Sequence, residues 1–377
     1  MPNHKKKLLF FVTEDWYFCS HRIDLARAAK QAGYQVSVLT RVTRHGDIIR
    51  NEGFELIPLQ IERGGVNPLR ELNTIYQIVK HYKKISPDIV HHVAIKPVIY
   101  GGLISIFMQK IKVVNLIAGF GAIFSSNNLK ARILRPFVKI IFKRIFARKG
   151  SVVVVQNSED RQLLLDELRV NPYSVSLIKG SGIDIDKFLP SKEPPGIVSI
   201  ALVSRLLWDK GIKEFVEAVS VLKTKGLEFN AYLVGEPDDS NLASVHHSQL
   251  TEWEDNNIVK CIGFKKNIAD FWMNNHIAVL PSYREGLPKS LLESAACSRP
   301  IVTTNTSGCK EVVKDGVNGF LVPVRNVELL AKALESLLLN PTLRIKMGEV
   351  GRERVIKEFS NEIIINETLG IYKKLME

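Results

Sequence analysis

Two glutamates and two cations are the residues of this 377-residue chain whose types and spacing best suit chemistry. Glu285 and Glu293 stand eight residues apart in "YREGLPKSLLESAACSRP", residues 283–300. The stretch follows an apolar run, "HIAVL", passes a Gly-Pro turn and then takes on helical spacing. At about 100° per residue the second carboxylate falls roughly 80° past two full turns, on much the same side of the helix. Carboxylates accept hydrogen bonds from hydroxyls. The free N–H groups and dipole of a helix start favour an anion, and glycine lets the backbone approach it. A sugar, a diphosphate and a ribose fit that layout. The spacing alone equally describes a loop-capping Glu285 and a surface Glu293.

Arg205 and Lys210 lie in "LVSRLLWDKGIKEFVEA", again strand, loop and helix in order. Two cations beyond a strand end would neutralise a diphosphate leaving group. On its own such a pair also reads as a solvated loop. With the glutamate-flanked helix start it reads as a diphosphate clamp.

These residues need strand ends to carry them, and the chain supplies many. "KLLFFVT", "YQVSVLT", "FELIPLQI", "DIVHHV", "VVNLIA" and "GSVVVVQN" are apolar runs of strand length. "SHRIDLARAAKQAG" and "PLRELNTIYQIVKHYKKI" have helical periodicity, the second with Pro68 at its start. The pattern breaks at "GSGIDIDKFLPSKEPPG", residues 180–196, and then restarts with "IVSIALVS", "FNAYLVG", "IVKCIG", "HIAVLPS" and "PIVTTN". Strands alternating with helices predict an α/β protein of two parallel-sheet domains with a cleft between them. "NEIIINETLGIYKKLM" closes the chain as a terminal helix.

Four scattered cysteines without a CxxC argue against a disulfide framework or a zinc site and for a reducing compartment. The N-terminal apolar run "LLFFV" is too short for a signal peptide and meets Glu14 and Asp15 at once. The net charge of +13 is lopsided. Residues 1–190 hold 29 Lys+Arg against 15 Asp+Glu, and residues 89–158 hold 11 Lys+Arg and no acid. The first half is therefore expected to meet an anionic partner.

"SRLLWDKG", "YLVG", "CIGF", "VLPSYREGLPKSLLESAACSRPIV" and "SGCKEVVKDGVNGFLV" resemble, in order and spacing, the C-terminal domain of the family 4 retaining glycosyltransferases of GT-B fold. The resemblance covers most of residues 196–330, while the N-terminal half matches more loosely. Within the family the chain looks most like bacterial enzymes that extend undecaprenyl-diphosphate-linked sugars, among them N-acetylgalactosaminyltransferases acting on lipid-linked bacillosamine.

The resemblance implies two Rossmann-like domains facing across a cleft. Residues 1–185 would bind the acceptor and face a membrane, and residues 196–358 would bind a nucleotide sugar. Residues 359–377 would form a helix packing back on the first domain. It implies that Arg205 and Lys210 bind diphosphate, that Glu285 contacts the donor sugar and that Glu293 holds the ribose. Gly286, Leu287, Pro288 and Lys289 would form the turn that meets the donor. Gly235, in "YLVG", and Ile262, Gly263 and Phe264 would line the nucleotide. It implies a UDP-sugar donor, no cofactor and no catalytic metal ion.

Two positions depart from the family. "TEDWYFCSHR" stands where many relatives have a Gly-rich loop, and Ala118, in "LIAGFGAIF", stands where many have His. The lack of a Gly-rich turn also argues against a dinucleotide-dependent dehydrogenase. His21, Arg22, His92 and Lys96 are the acceptor-side candidates, though a lone His at a strand end also reads as structural.

"LKARILRPFVKIIFKRIFARKG", residues 129–150, is a basic amphipathic stretch. Arg132, Arg135, Lys139, Lys143 and Arg144 alternate with Phe137, Ile141 and similar residues. Such a helix reads as lying on an anionic lipid surface, or as a core helix with a solvated basic face. Nucleic acid is disfavoured, because no aromatic residues interleave as stacking platforms. The leading expectation is a cytoplasmic enzyme peripherally bound at the inner face of the membrane, acting on a lipid-linked saccharide. The same fold with a soluble acceptor, and a non-catalytic nucleotide-sugar or lipid-binding protein, are the alternatives.

Overall fold

The computed structural model describes residues 5–62, 67–120, 129–238, 241 and 243–377. The chain divides into two units, Met1–Gly182 with Glu362–Glu377, and Ile183–Asn361. The first is built on seven strands: β1 (Lys7–Glu14), β2 (Gln35–Arg41), β3 (Glu55–Pro58), β4 (Ile89–Val93), β5 (Lys112–Ile117), β6 (Ser151–Val155) and β7 (Val175–Leu177). Their order is β3-β2-β1-β4-β5-β6-β7, and every pairing is parallel. The second holds β8 (Ser199–Val203), β9 (Asn230–Val234), β10 (Lys260–Cys261), β11 (Ile277–Leu280), β12 (Ile301–Thr304) and β13 (Gly319–Val322). Their order is β10-β9-β8-β11-β12-β13, again all parallel.

The apolar runs become strands buried on both faces, as parallel sheets demand. In β1, Leu8, Phe10 and Val12 enter one core, while Leu9 and Phe11 enter another. This is the two-residue alternation of a strand with helices on each side.

The terminal helix Asn361–Met376 belongs to the first unit, although the second unit precedes it in the chain. Ile364 and Tyr372 are buried among Leu8, Phe10, Val12 and Phe18. The Tyr372 hydroxyl shares a hydrogen bond of 2.5 Å with His91 Nδ1.

Several elements differ from the sequence reading. In "TEDWYFCSHR", to which the sequence reading gave no element, the helix Asp15–His21 follows β1 at once. The Asp15 carboxylate accepts from Thr43 N (2.7 Å), Thr43 Oγ1 (2.6 Å) and His45 N (2.9 Å), which tethers the loop beyond β2. A second helix, Ile23–Gln31, restarts after a break at Arg22, so the expected single helix is two. The short edge strand β7, strand β13 and the helix Pro341–Glu358 lie outside the elements expected from periodicity. The stretch 180–196 does contain the boundary between the two units, at Gly182–Ile183. From Ile183 onward it packs on the second unit, with Ile183 bridging to Ser360 and Arg344 donating to Glu193.

Replacing Tyr372 by Ala removes a fully buried ring and leaves His91 unpaired. It is expected to destabilise the first unit by about 3–5 kcal/mol. Denaturant unfolding should show an earlier transition for that unit and an unmoved one for the second.

Candidate active site

In the second sheet the chain runs from β8 outward to β10, then returns to place β11 on the other side of β8. Open parallel sheets bind ligands beyond the carboxyl ends of their strands at such a reversal. Arg205 and Lys210 follow β8, Gly235 follows β9, Ile262–Gly263–Phe264 follow β10, and Glu285 follows β11. These expected donor residues thus share one edge of one domain.

The loops after β8 and β11 are stitched to each other. Gly211 has φ +73°, and a Cβ there would lie 2.1 Å from the Pro281 carbonyl oxygen. No other residue type fits without moving backbone. The Asp209 carbonyl accepts from Tyr283 N at 2.9 Å and from Ser282 Oγ at 3.1 Å. This contact brings Lys210 Nζ to 2.6 Å from Glu285 Oε1, with side chains only 18% and 12% exposed. A charge so far removed from water is costly unless paired, and here each group has the other as its partner.

Arg205 is fixed by Asp238, at 2.7 Å between Nη1 and Oδ2. The backbone of Asp238 donates to Ser244 Oγ at 2.9 Å, and Leu206 N donates to Glu236 O at 3.0 Å. Gly235 has φ +136°, and a Cβ would meet Ser204 O at 1.8 Å, so glycine is required there. Its N–H donates to Gly263 O at 2.9 Å, which joins the loops after β9 and β10. Ile262 is half-buried beside it, while Phe264 is exposed.

Gly286, Leu287 and Pro288 lead into the helix Lys289–Ala296, and its N-cap residue Pro288 has no side chain that could cap it. Glu293 is half-buried just past the first turn. Burial raises its carboxyl above the ordinary range, against the pull of Lys289 and Lys187.

A further helix, Ser307–Val312, abuts the same turn. A Cβ on Gly308 would lie 2.4 Å from Gly286 O and 2.7 Å from Glu285 O. Next to it the Cys309 thiol is pushed up to about 11 by burial and then by the charge of Glu285.

Four more residues complete the site, and the sequence reading assigned none of them a role. The Tyr283 hydroxyl donates to Glu214 Oε1 at 2.6 Å, and the Arg325 guanidinium sits 4.6 Å from the Tyr283 ring centroid. Burial, then Glu214, pushes the Tyr283 hydroxyl up to about 12. Asp238 is the fourth. Gly308 did carry a signal, in the "SGCKE" stretch after β12.

The first unit corrects three acceptor-side expectations. His92 is fully buried in β4, with Nε2 sharing a 2.8 Å hydrogen bond with Tyr82 Oη and Nδ1 another of 2.8 Å with Asn115 Oδ1. Both ring nitrogens are occupied, so it is a structural histidine. Burial, then the charge of Arg148 opposed by the Asn115 hydrogen bond, lowers its pKa to about 4. Arg22 is 3% exposed, at the helix break near Tyr17 and Tyr372. It presents nothing at the surface. Lys96 is turned inward to Glu71 at 2.7 Å and to the Glu62 carbonyl at 2.6 Å. His21 alone keeps a half-exposed ring, stacked on Tyr17 at 4.1 Å with Ser20 Oγ at 2.6 Å from Nδ1. Ala118 follows β5, and residues 121–128, which begin within "LIAGFGAIF", lie outside the described residues.

The basic stretch forms the helix Leu129–Phe146. Phe142, Ile145 and Phe146 enter the core, and Val138 and Ile141 pack against it. Ile141 is therefore an inward residue, not a lipid-facing one. Ile133, Leu134, Phe137 and Ile140 are each more than half exposed, and Arg132, Lys143 and Arg144 are exposed beside them. Arg135 is half-buried. Lys139 is drawn to Glu167 at 2.5 Å, which removes it from the free basic face. Among the described residues no helix is long and apolar enough to cross a membrane.

The model of the family "Glycosyl transferases group 1" matches residues 185–354, and that of "Glycosyl transferase 4-like" matches residues 7–152. The two span both sheets, and the chain belongs to the glycosyltransferases of GT-B fold. It is 25% identical over 374 residues to the N,N'-diacetylbacillosaminyl-diphospho-undecaprenol alpha-1,3-N-acetylgalactosaminyltransferase of Campylobacter jejuni, covering 94% of this chain and 95% of that one. It is 24% identical over 309 residues to the UDP-Gal:alpha-D-GlcNAc-diphosphoundecaprenol alpha-1,3-galactosyltransferase of Escherichia coli, covering 78% and 77%. The crystal structure of a glycosyltransferase from Rickettsia africae ESF-5 superposes with a TM-score of 0.79 at 21% identity, covering 99% of each chain. That last likeness speaks for the fold alone.

Gly308→Ala forces a methyl group against the Glu285–Gly286 peptide. It is expected to destabilise the second unit by about 1–3 kcal/mol in denaturant unfolding.

His92 gives a pH signature. Its folded pKa of about 4 lies below the ordinary 6.5. The unfolded chain therefore takes up a proton that the folded chain refuses as pH falls through that window. Stability is intact above 6.5 and declines toward pH 4, by up to about 1.4 kcal/mol per pH unit from this group. His92→Gln should flatten the fall in denaturant midpoint with pH.

Proposed function

We propose that the protein moves a sugar, N-acetylgalactosamine or another N-acetylhexosamine, from a UDP-sugar to a polyprenyl-diphosphate-linked saccharide, with retention at the anomeric carbon. The product would be an intermediate of a bacterial surface polysaccharide or glycoprotein glycan. The observation that carries this reading is the Lys210–Glu285 pair, held at 2.6 Å at the reversal point of the second sheet. The names of the Campylobacter and Escherichia relatives support the lipid-linked acceptor, and the second also supports a UDP donor.

In this reading Lys210, Arg205 and the start of the helix Lys289–Ala296 face the diphosphate. The bond between the anomeric carbon and the UDP oxygen breaks, and its electron pair leaves with UDP. Preorganised cations and N–H groups stabilise that growing charge, the task a metal ion performs in other transferases. The acceptor hydroxyl attacks from the face that UDP vacates, and its proton passes to a diphosphate oxygen. Glu285 accepts hydrogen bonds from the sugar hydroxyls and, through its ion pair, aims Lys210. Glu293 takes the ribose hydroxyls. Its raised pKa fits a carboxyl that gains from such partners when the donor binds.

The exposed apolar and basic face of the helix Leu129–Phe146 supports work at an anionic membrane surface, on its cytoplasmic side. A peripheral enzyme so placed would meet the lipid-linked acceptor where it resides.

A UDP-release assay across a panel of UDP-sugars, with polyprenyl-diphosphate and water-soluble acceptors, tests the reading. Lys210→Ala and Glu285→Ala are each expected to lower kcat/KM at least about 100-fold, in line with loss of one preorganised charge contact. A wild-type rate in either variant, or UDP binding without release in the wild type, would sink it.

A further inference from the structure

Beyond the exposed stripe of the helix Leu129–Phe146, two adjoining concavities of about 510 Å³ and 600 Å³ open where the helix ends. Both are lined by Lys143, Arg148 and Lys149; Arg169 joins the first and Arg144 the second. Their apolar walls include Phe146, Leu168 and Val170 in the first and Ile106 in the second. Arg148 is built in, donating to the carbonyls of Ser105, Met108 and Ile111 at 2.8, 3.1 and 2.5 Å. Lys143, Arg144, Lys149 and Arg169 are exposed and have no acidic partner among the described residues. Arg169 occupies a left-handed turn (φ +52°) of the kind that follows a helix, where Gly or Asn is usual.

Ile133, Phe137, Ile140, Arg144 and Ala147 recur at intervals of three and four residues, so the exposed apolar stripe runs straight into the cationic groove. The order is that of a membrane interface: apolar residues for the acyl boundary, then cations at the phosphate level. Phe107, 88% exposed, follows Ile106 of the groove wall, and aromatic residues favour the same depth.

We propose that this groove is a headgroup site for anionic phospholipid. It would seat a lipid phosphate between Lys143, Lys149 and Arg169 while the stripe from Ile133 to Ile140 dips among the acyl chains. This rests on the membrane-surface reading above and adds to it a discrete site on the first domain, separate from the donor edge of the second. The cations are the specific element and the stripe is the general one.

Vesicle co-sedimentation separates the two. The groove variant is Lys143→Gln/Lys149→Gln/Arg169→Asn, with Asn chosen because it tolerates the left-handed backbone. The stripe variant is Phe137→Ser/Ile140→Ser. Both are first matched to wild type by thermal unfolding. Each cation near an anionic surface shifts partitioning about fivefold, so the groove variant is expected to lose at least about tenfold of its affinity for phosphatidylglycerol-doped vesicles. It should bind pure phosphatidylcholine as wild type does, and release UDP normally with a soluble acceptor. The stripe variant should lose affinity for both vesicles. Wild-type protein that binds neither vesicle overturns the membrane reading and this site with it. Wild-type binding that the groove variant matches on doped vesicles overturns the groove alone. Thermal stabilisation by inorganic phosphate that the groove variant lacks, with no vesicle difference, assigns a soluble anion and overturns the lipid.

Discussion

The contact of Gly211 with the Pro281 carbonyl is the constraint from which the donor edge follows. It presses two loops, which follow neighbouring strands but are seventy residues apart in sequence, into one continuous surface. The Asp209 carbonyl then takes both Ser282 and Tyr283, and Lys210 is delivered to Glu285 with little water between them. Were the loops free, the same two side chains would form an exposed pair contributing about 0–1 kcal/mol and pointing nowhere in particular. Gly308 repeats the device from the far side, where the next helix rests on the Glu285–Gly286 peptide. A glutamate with a backbone clamp on each side has few ways to turn, which suits a group that must meet a transition state without reorganising.

Most of the strands were legible because parallel strands buried on both faces leave unbroken apolar runs, whereas β7, three residues long, and β13 were not. The edge proposed to take the donor could be located because its residues sit within a few positions of those runs, so a strand end in the sequence is an edge position in space. What stayed hidden was pairing between loops. Nothing near Arg205 announces Asp238, and nothing near Tyr283 announces Glu214, because only the order of the strands brings them together.

The acceptor-side histidine failed for a related reason. His91 and His92 point to opposite faces of β4, and both faces are covered, one by Tyr372 and the other by Tyr82. A single sequence marks the strand but not what lies over each side of it. The amphipathic helix was half legible. Its periodicity was plain, but which apolar residues faced in depended on the neighbouring core. So Ile141 turned inward, and Glu167 claimed Lys139 from twenty-eight residues away.

The return of the last helix to the first domain has a consequence for how the protein is made. The second domain is one uninterrupted segment, Ile183–Asn361, and can close as soon as it leaves the ribosome. The first domain cannot. Its sheet emerges earliest, yet the face carrying Leu8, Phe10 and Phe18 is completed by Ile364 and Tyr372, which follow the whole second domain in the chain. Until that helix emerges, the part of the face beneath Ile364 and Tyr372 stays open, which makes it the part a chaperone would hold. A chain cut before Glu362 would leave the ribosome with a complete second domain joined to a sticky first one.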